Sequence, residues 1–433
     1  MQKGLAIGAL VLATTLTVAT KGMTRGTDSG DGKPIKALVV GVGDFKELGK
    51  DAHLPYAEKD AEAFAETLRS VVTVDELQVL TGHEATHEVL STSVTTLLST
   101  ATEDEVVVLY FATHGAKIGR KGFLMAWDTE PEGQLAFTSL KLVELKKAIA
   151  NSKAGQVLLF ADTAHQVLDD VPESVKTGPA YSVNPLIGAM ALEQDRVFVM
   201  TANQGHSPSA TGEEFCGGHG LFTCALMEAL GGEADVNHDA VVQLAEVATT
   251  VPAIVASRSD DEQLPGAYGR YEGDLGVQAS HEPTAGWEVH DAVDVCFGSQ
   301  GFPVAAEHTF KTGETFEMAF TLPQAGYLYV ENYGPDGEHN KLFPWVGEDP
   351  RVSAGSTIVI PPPDGEPITF TDPTGRETLL LTWSPVPLDS PPPRVATKGM
   401  KRGAEPTSRH CSRYLPTAGS GETWTIEITL DHQ

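Results

Sequence analysis

Four short segments that are apolar almost throughout restrict the fold of this chain more than any other feature. They occupy residues 35–42, 106–112, 156–161 and 197–201. None alternates in the manner of a half-solvated strand, so each reads as a strand buried on both faces. Helical stretches separate them. Residues 57–71 place Ala61, Phe64, Ala65 and Leu68 on one stripe. Further helices are expected from about 86 to 98, over 140–150 and over 221–230, the last stopped by Gly231 and Gly232. A shorter strand is expected at 77–80. Strands alternating with helices predict an α/β fold, a mostly parallel sheet flanked by helices. Chemistry in such sheets gathers at the carboxyl ends of the strands. Two of those ends carry polar, reactive residue types: His114-Gly115, and Asp162-Thr163-Ala164-His165.

From about residue 286 the texture changes. Phe310, Phe316, Met318 and Phe320 alternate with polar residues, and Tyr327, Tyr329 and Tyr333 follow. Short strands broken by Gly and Pro predict a small β-sandwich domain. Within it, 391–406 is Pro-rich and basic and reads as a mobile loop. The expected organisation is a signal peptide or anchor at 1–19, a flexible lead at 20–34, an α/β domain at 35–275 and a β-rich domain at 286–433. The α/β domain divides into a larger part at 35–176 and a smaller one at 190–275.

Thirty Lys and Arg face 59 Asp and Glu, a net charge of −29. This excludes nucleic acid as the natural partner, since phosphate binding needs a basic face. Peptides or proteins with basic surfaces suit it better. The N-terminus has Lys3, then an uncharged run from residue 4 to 19. Such a run is short for a membrane span and fits an export signal. The protein is therefore expected in the periplasm or outside the cell; a membrane enters only if the run stays on as an anchor. Four cysteines suit an oxidising compartment. The expected pairs are Cys216 with Cys224 and Cys296 with Cys411, with other connectivities left open.

One nonapeptide occurs twice. Residues 18–26 read VATKGMTRG and 395–403 read VATKGMKRG, agreeing at eight of nine positions. Two basic strings in an acidic chain suggest processing after Arg25 and Arg402, or docking by a partner. A duplicated linker cassette accounts for the repeat equally well.

Amide hydrolysis by a cysteine needs a thiolate, a histidine and backbone N–H groups for the oxyanion. Tyr110-Phe111-Ala112-Thr113-His114-Gly115 and Asp162-Thr163-Ala164-His165 resemble the histidine and nucleophile motifs of the caspase and metacaspase family in its bacterial form. Residues 37–45, 57–61 and His219-Gly220-Leu221-Phe222-Thr223 are similar to further landmarks of that family, in its order, over about residues 35–275. The resemblance implies that His114 is the catalytic histidine and that Gly115 helps form the oxyanion hole. Asp162 would help select Arg or Lys. It also implies a cysteine at 164, where this chain has Ala164. Gln166 and Val167 depart from the family pattern as well. Thr163 points away from its neighbour's direction. Cys216, in the loop before the helix, is a thiol that could approach the cleft. The 286–433 region is similar to a bacterial domain fused to such proteases.

Asp235, Asn237, Asp239 and Glu246 match positions 1, 3, 5 and 12 of a calcium loop. Ala240 stands where such loops use Gly, and a capped turn before a helix accounts for the same residues. No other cofactor is implied. Three functions are compatible with the sequence. One is an exported pseudoprotease that binds basic peptides. A second is an Arg/Lys-specific cysteine endopeptidase carrying Ala in place of its Cys. The third is an envelope protein acting through its β-domain.

Overall fold

The computed structural model describes residues 33–118, 120–130, 134–163, 182–191, 194–204, 209–269, 274–278, 293–299, 302–305, 308–345, 348–362, 365–388, 405–406, 411–414, 417–418 and 423–433. The N-terminal run, Arg25, Ala164, His165, Arg402 and both copies of the nonapeptide lie outside them. Among the described residues no helix is long and apolar enough to cross a membrane.

The first part of the chain runs β1 (Ile35–Gly41), α1 (Ala57–Val71), β2 (Val74–Thr81), α2 (His87–Thr100) and β3 (Val106–Ala112). A hairpin follows, β4 (Gly115–Ile118) and β5 (Lys121–Met125), then the turn α3 (Leu135–Thr138), β6 (Ser139–Lys141), α4 (Leu142–Asn151) and β7 (Gln156–Asp162). After α5 (Asn184–Gly188) come β8 (Val197–Thr201), the short pair β9 (Thr211–Gly212) and β10 (His219–Gly220), and α6 (Leu221–Glu228). β11 (Val241–Gln243), α7 (Leu244–Arg258), β12 (Gly266–Tyr268) and β13 (Asp274–Gln278) complete this domain.

The main sheet has the order β12-β8-β7-β3-β1-β2, parallel except for β12. Alternate residues of β1 serve opposite faces, as a pleat requires. Leu38 and Val40 pack with Leu90, Val94, Leu97 and Leu98 of α2 and with Leu145 and Ile149 of α4. Ala37 and Val39 pack with Phe64 and Leu68 of α1 and with α6 and α7. This double burial is why the strands read as unbroken apolar runs. Gly41 lets β1 end against α1, because a Cβ there would come 2.4 Å from the Ala57 carbonyl oxygen. α6 stops at Glu228, two residues short of the expected 230. A wider turn over Ala229–Glu233 follows, and Gly232 turns it at φ 144°.

The β-domain packs two mostly antiparallel sheets face to face. One has the order Thr357–Ile360, Thr315–Thr321, Val293–Ser299, Cys411–Tyr414, Glu405–Pro406. Glu405 and Pro406 thus pair as a strand with Arg413 and Ser412, although they fall in the stretch read as a loop. The other runs Thr309–Phe310, Trp424–His432, Gly375–Ser384, Gly326–Tyr333, His339–Phe343. Phe297, Phe316, Phe320, Leu328, Leu381 and Ile426 fill the space between. The sandwich seats on the β12 edge of the main sheet. Ala267 bridges Ser356, the Ala267 N–H donates to Thr357 Oγ1 (3.0 Å), and Gln204 Nε2 donates to Thr321 Oγ1 (3.0 Å). Gly355, at φ 73°, lies against α7, where a Cβ would meet the Ala248 carbonyl oxygen at 2.8 Å. The edge that an open sheet would expose is thereby covered.

Candidate functional site

β3 and β7 are neighbours in register, Ala112 opposite Asp162, and the Thr113 N–H donates to the Asp162 carbonyl (3.3 Å). This brings His114 and Thr163 to adjacent strand ends. His114 is buried, its ring stacked on Phe45 with centroids 5.3 Å apart. Its Nε2 lies 2.9 Å from the Ala52 carbonyl oxygen. A carbonyl only accepts, so Nε2 carries the hydrogen and Nδ1 is the nitrogen that takes a proton. Gly115 follows at the start of β4. A Cβ there would fall 2.4 Å from Val183 Cγ2, so the backbone approaches this place only as glycine.

Asp162 ends β7 at 1% exposure. Burial pushes its carboxyl up to about 7, the negative charge of Asp60 adds to the rise, and a hydrogen bond with Ser209 opposes it. Asp60, on α1, is also buried and is raised by desolvation, against which His219 and the Gly220 N–H work. His219 Nδ1 is 2.7 Å from Asp60 Oδ1, and the Gly220 N–H is 3.2 Å from each Asp60 carboxylate oxygen. Gly220 fits between the two acids: a Cβ would stand 2.9 Å from Asp162 Oδ2 and 3.1 Å from Asp60 Oδ2. Tyr110 beneath them is raised well above its ordinary pKa by burial and by both acids, and its hydroxyl meets Thr223 Oγ1 at 2.7 Å. Strands β3 and β7, helix α1 and the start of α6 therefore meet in one buried acidic cluster.

The sequence reading placed His114, Gly115 and Asp162 at strand ends, and the structure brings them together. It missed Asp60. The signal was present, because Asp60 lies three residues after Ala57 and four before Phe64, on the apolar stripe of α1. A carboxylate on a buried stripe needs a partner. His219 also gains a role, as that partner.

Neither substitute nucleophile is available. The Thr163 hydroxyl donates to Asn184 Oδ1. Asn184 Nδ2 in turn donates to the Asn203 carbonyl (3.0 Å), which also accepts from Thr201 Oγ1 (2.8 Å). The Thr163 proton is committed to this network. Cys216 is joined to Cys224, so it offers no free thiol to the cleft, and Cys296 is joined to Cys411.

Residues 35–273 match the family profile described as the caspase domain, and residues 309–387 match the one described as a domain of unknown function, DUF4384. No curated protein matches the chain. Among solved structures, protein GSU0716 from Geobacter sulfurreducens is similar at 15% identity and a TM-score of 0.39, over 57% of this chain and 97% of that one. The caspase-domain match covers more than half of the 433 residues. With the ordered strand ends and the histidine at the first of them, it shows that this chain belongs to the caspase-domain peptidase family.

Proposed function

We propose that this protein binds basic side chains at the end of β7 and does not cut the peptides that carry them. The observation that carries the reading is the buried acid pair, Asp60 and Asp162, at a strand end followed by Ala164. Burial and the charge of the neighbouring Asp60 push the Asp162 carboxyl up to about 7, and burial raises Asp60 as well, so a cation beside them would favour their charged forms. A guanidinium supplies that charge with a fork of donors matched to carboxylate oxygens. The net charge of −29 steers basic partners towards the molecule. A methyl group at 164 cannot attack a carbonyl, so bound peptide is released uncut. At 1% exposure, Asp162 has to be uncovered for a guest to reach it, and slow association is the expected sign. Export belongs to the same reading and is supported by two disulfides.

Calorimetric titration with an Arg-containing peptide and its citrulline isostere tests it. Binding of the Arg peptide only, lost in Asp162→Asn, is expected. Equal binding of both peptides, or binding untouched by the substitution, would overturn it.

A second reading is favoured by one observation: His114 keeps an oriented, proton-accepting ring. On this reading the family's cysteine chemistry returns when the nucleophile does. Ala164→Cys should then hydrolyse Arg substrates and cleave itself after Arg25 and Arg402. If it does neither, this second reading fails.

A further inference from the structure

The Asp235, Asn237 and Asp239 side chains close a turn on backbone N–H groups, and Glu246 caps the start of α7. The β-domain holds a feature of another kind. Strand alternation sends every second residue into the apolar space between its sheets. On Gly326–Tyr333 those residues are Leu328, Val330 and then Asn332. On Gly375–Ser384 they are Leu381, Leu379 and then Glu377. Asn332 stands opposite Leu379 in the ladder, and Glu377 opposite Leu430. The interior of the sandwich therefore turns polar at one end.

A cavity of about 370 Å³ opens at that end, lined by Phe316, Phe370, Leu379 and Leu430 together with Asn332 and Glu377. Its volume lies at the small end of ligand sites, which run from ~300 to ~1,000 Å³. The edge strand His339–Phe343 of one sheet lines it, and so does Ile368–Thr369, which pairs with Thr315 and Phe316 of the other. The aromatic wall is braced from behind. Phe370 stacks on Phe310 with centroids 4.5 Å apart and meets Phe316 edge-on at 6.1 Å. Glu377 is 7% exposed. Its Oε2 accepts from Asn332 Nδ2 (2.9 Å), and its Oε1 is 3.9 Å from His432 Nδ1, beyond hydrogen-bond reach. Asn332 Oδ1 is buried and has no hydrogen bond. An amide oxygen and an ionised carboxylate only accept, so the floor of the cavity calls for donors. Charge agrees with this. Among the described residues lining the cavity, Asp336, Glu338, Asp372 and Glu377 are acids and Lys341 is the only base. Asp336 and Asp372 are exposed, at the mouth.

We propose that this cavity binds a short aliphatic polyamine. One ammonium donates to Asn332 Oδ1 and to Glu377 at the floor, where charge-assisted bonds are strongest. The methylene stem lies against Phe316, Phe370 and Leu379, which removes apolar surface from water. A second ammonium stays at the mouth beside Asp336 and Asp372. Acceptors below, apolar walls between and carboxylates at the rim select this chemistry over an anion, which meets like charge, and over a neutral alcohol, which brings no charge to either end. The site lies in the β-domain and does not depend on what the Asp162 cluster binds.

Isothermal titration of cadaverine into the full chain tests this, with pentylamine and pentanediol as controls. One saturable site is expected, tighter for cadaverine than for pentylamine and closed to the diol. Glu377→Gln keeps the shape of the floor and removes its charge, and should weaken cadaverine about tenfold or more. Thr371 lines the cavity at an exposed position, so Thr371→Trp should obstruct entry and weaken binding as well. If Glu377→Gln does not fold, Thr371→Trp decides: affinity equal to that of the unaltered chain overturns the proposal. So does the absence of a saturable site, or equal binding of diol and diamine. Weak multi-site binding that persists in Glu377→Gln, the sign of a merely acidic surface, overturns it too.

Discussion

The ends of β3 and β7 lie side by side and differ in what they retain. The β3 end has an oriented histidine on Ala52 and Phe45 and a glycine where a Cβ would fall 2.4 Å from Val183 Cγ2. The β7 end keeps a buried acid and a threonine tied into an asparagine network, followed by Ala164. The β3 end thus offers an oriented histidine, and the described residues of the β7 end offer charge and packing. On the function proposed above, the charge at β7 receives the ligand and no attack follows.

The largest expected effect sharpens this contrast through pH. Asp162 holds a proton in the folded chain up to about pH 7, whereas the unfolded chain releases it near the ordinary carboxylate value of 3.8. The folded state therefore binds more protons in that window. Its stability is greatest below it and is lost as pH rises through 7. Asp162→Asn should remove that loss, leaving the protein more stable at pH 8 by up to about 4 kcal/mol and little changed at pH 4. Denaturant unfolding at the two pH values measures it. Equal stability of variant and parent at pH 8 would mean that the acid is not held as described.

At the β3 end, Gly115→Ala should cost about 2 kcal/mol, because a stiff valine has to yield to the new methyl. A neutral result would show that the close approach is not needed. Smaller still, Thr163→Val should cost about 1 kcal/mol by leaving Asn184 Oδ1 without its donor. A loss as large as that of Gly115→Ala would place the network, and not the glycine, as the stronger tie between the strand ends.

Much of this was legible from the residues. The doubly apolar runs gave the parallel sheet, because burial on both faces leaves no polar alternation. α1 appears with its expected limits, 57–71, since its stripe is long and regular. The β4–β5 hairpin was not foreseen: Gly115 to Met125 is short, and its charges at Lys117, Arg120 and Lys121 hide any period of two. β12 was missed for the same physical reason. It has three residues, and its place in the sheet is set by pairing with β8, which no local pattern encodes. The acidic cluster was half legible. Strand-end logic finds His114 and Asp162, but the Asp60–His219 link joins residues 159 positions apart.

The claim that Asp162 receives a basic side chain without catalysis is tested most directly by the affinity of one Arg peptide at pH 6 and pH 8, with the peptide weighed by mass spectrometry afterwards. An acid ionising near 7 is about tenfold more charged at the higher pH. Binding about ten times tighter at pH 8, with every peptide molecule recovered intact, is the predicted result. Affinity that does not change between the two pH values, or any cut peptide, would contradict it.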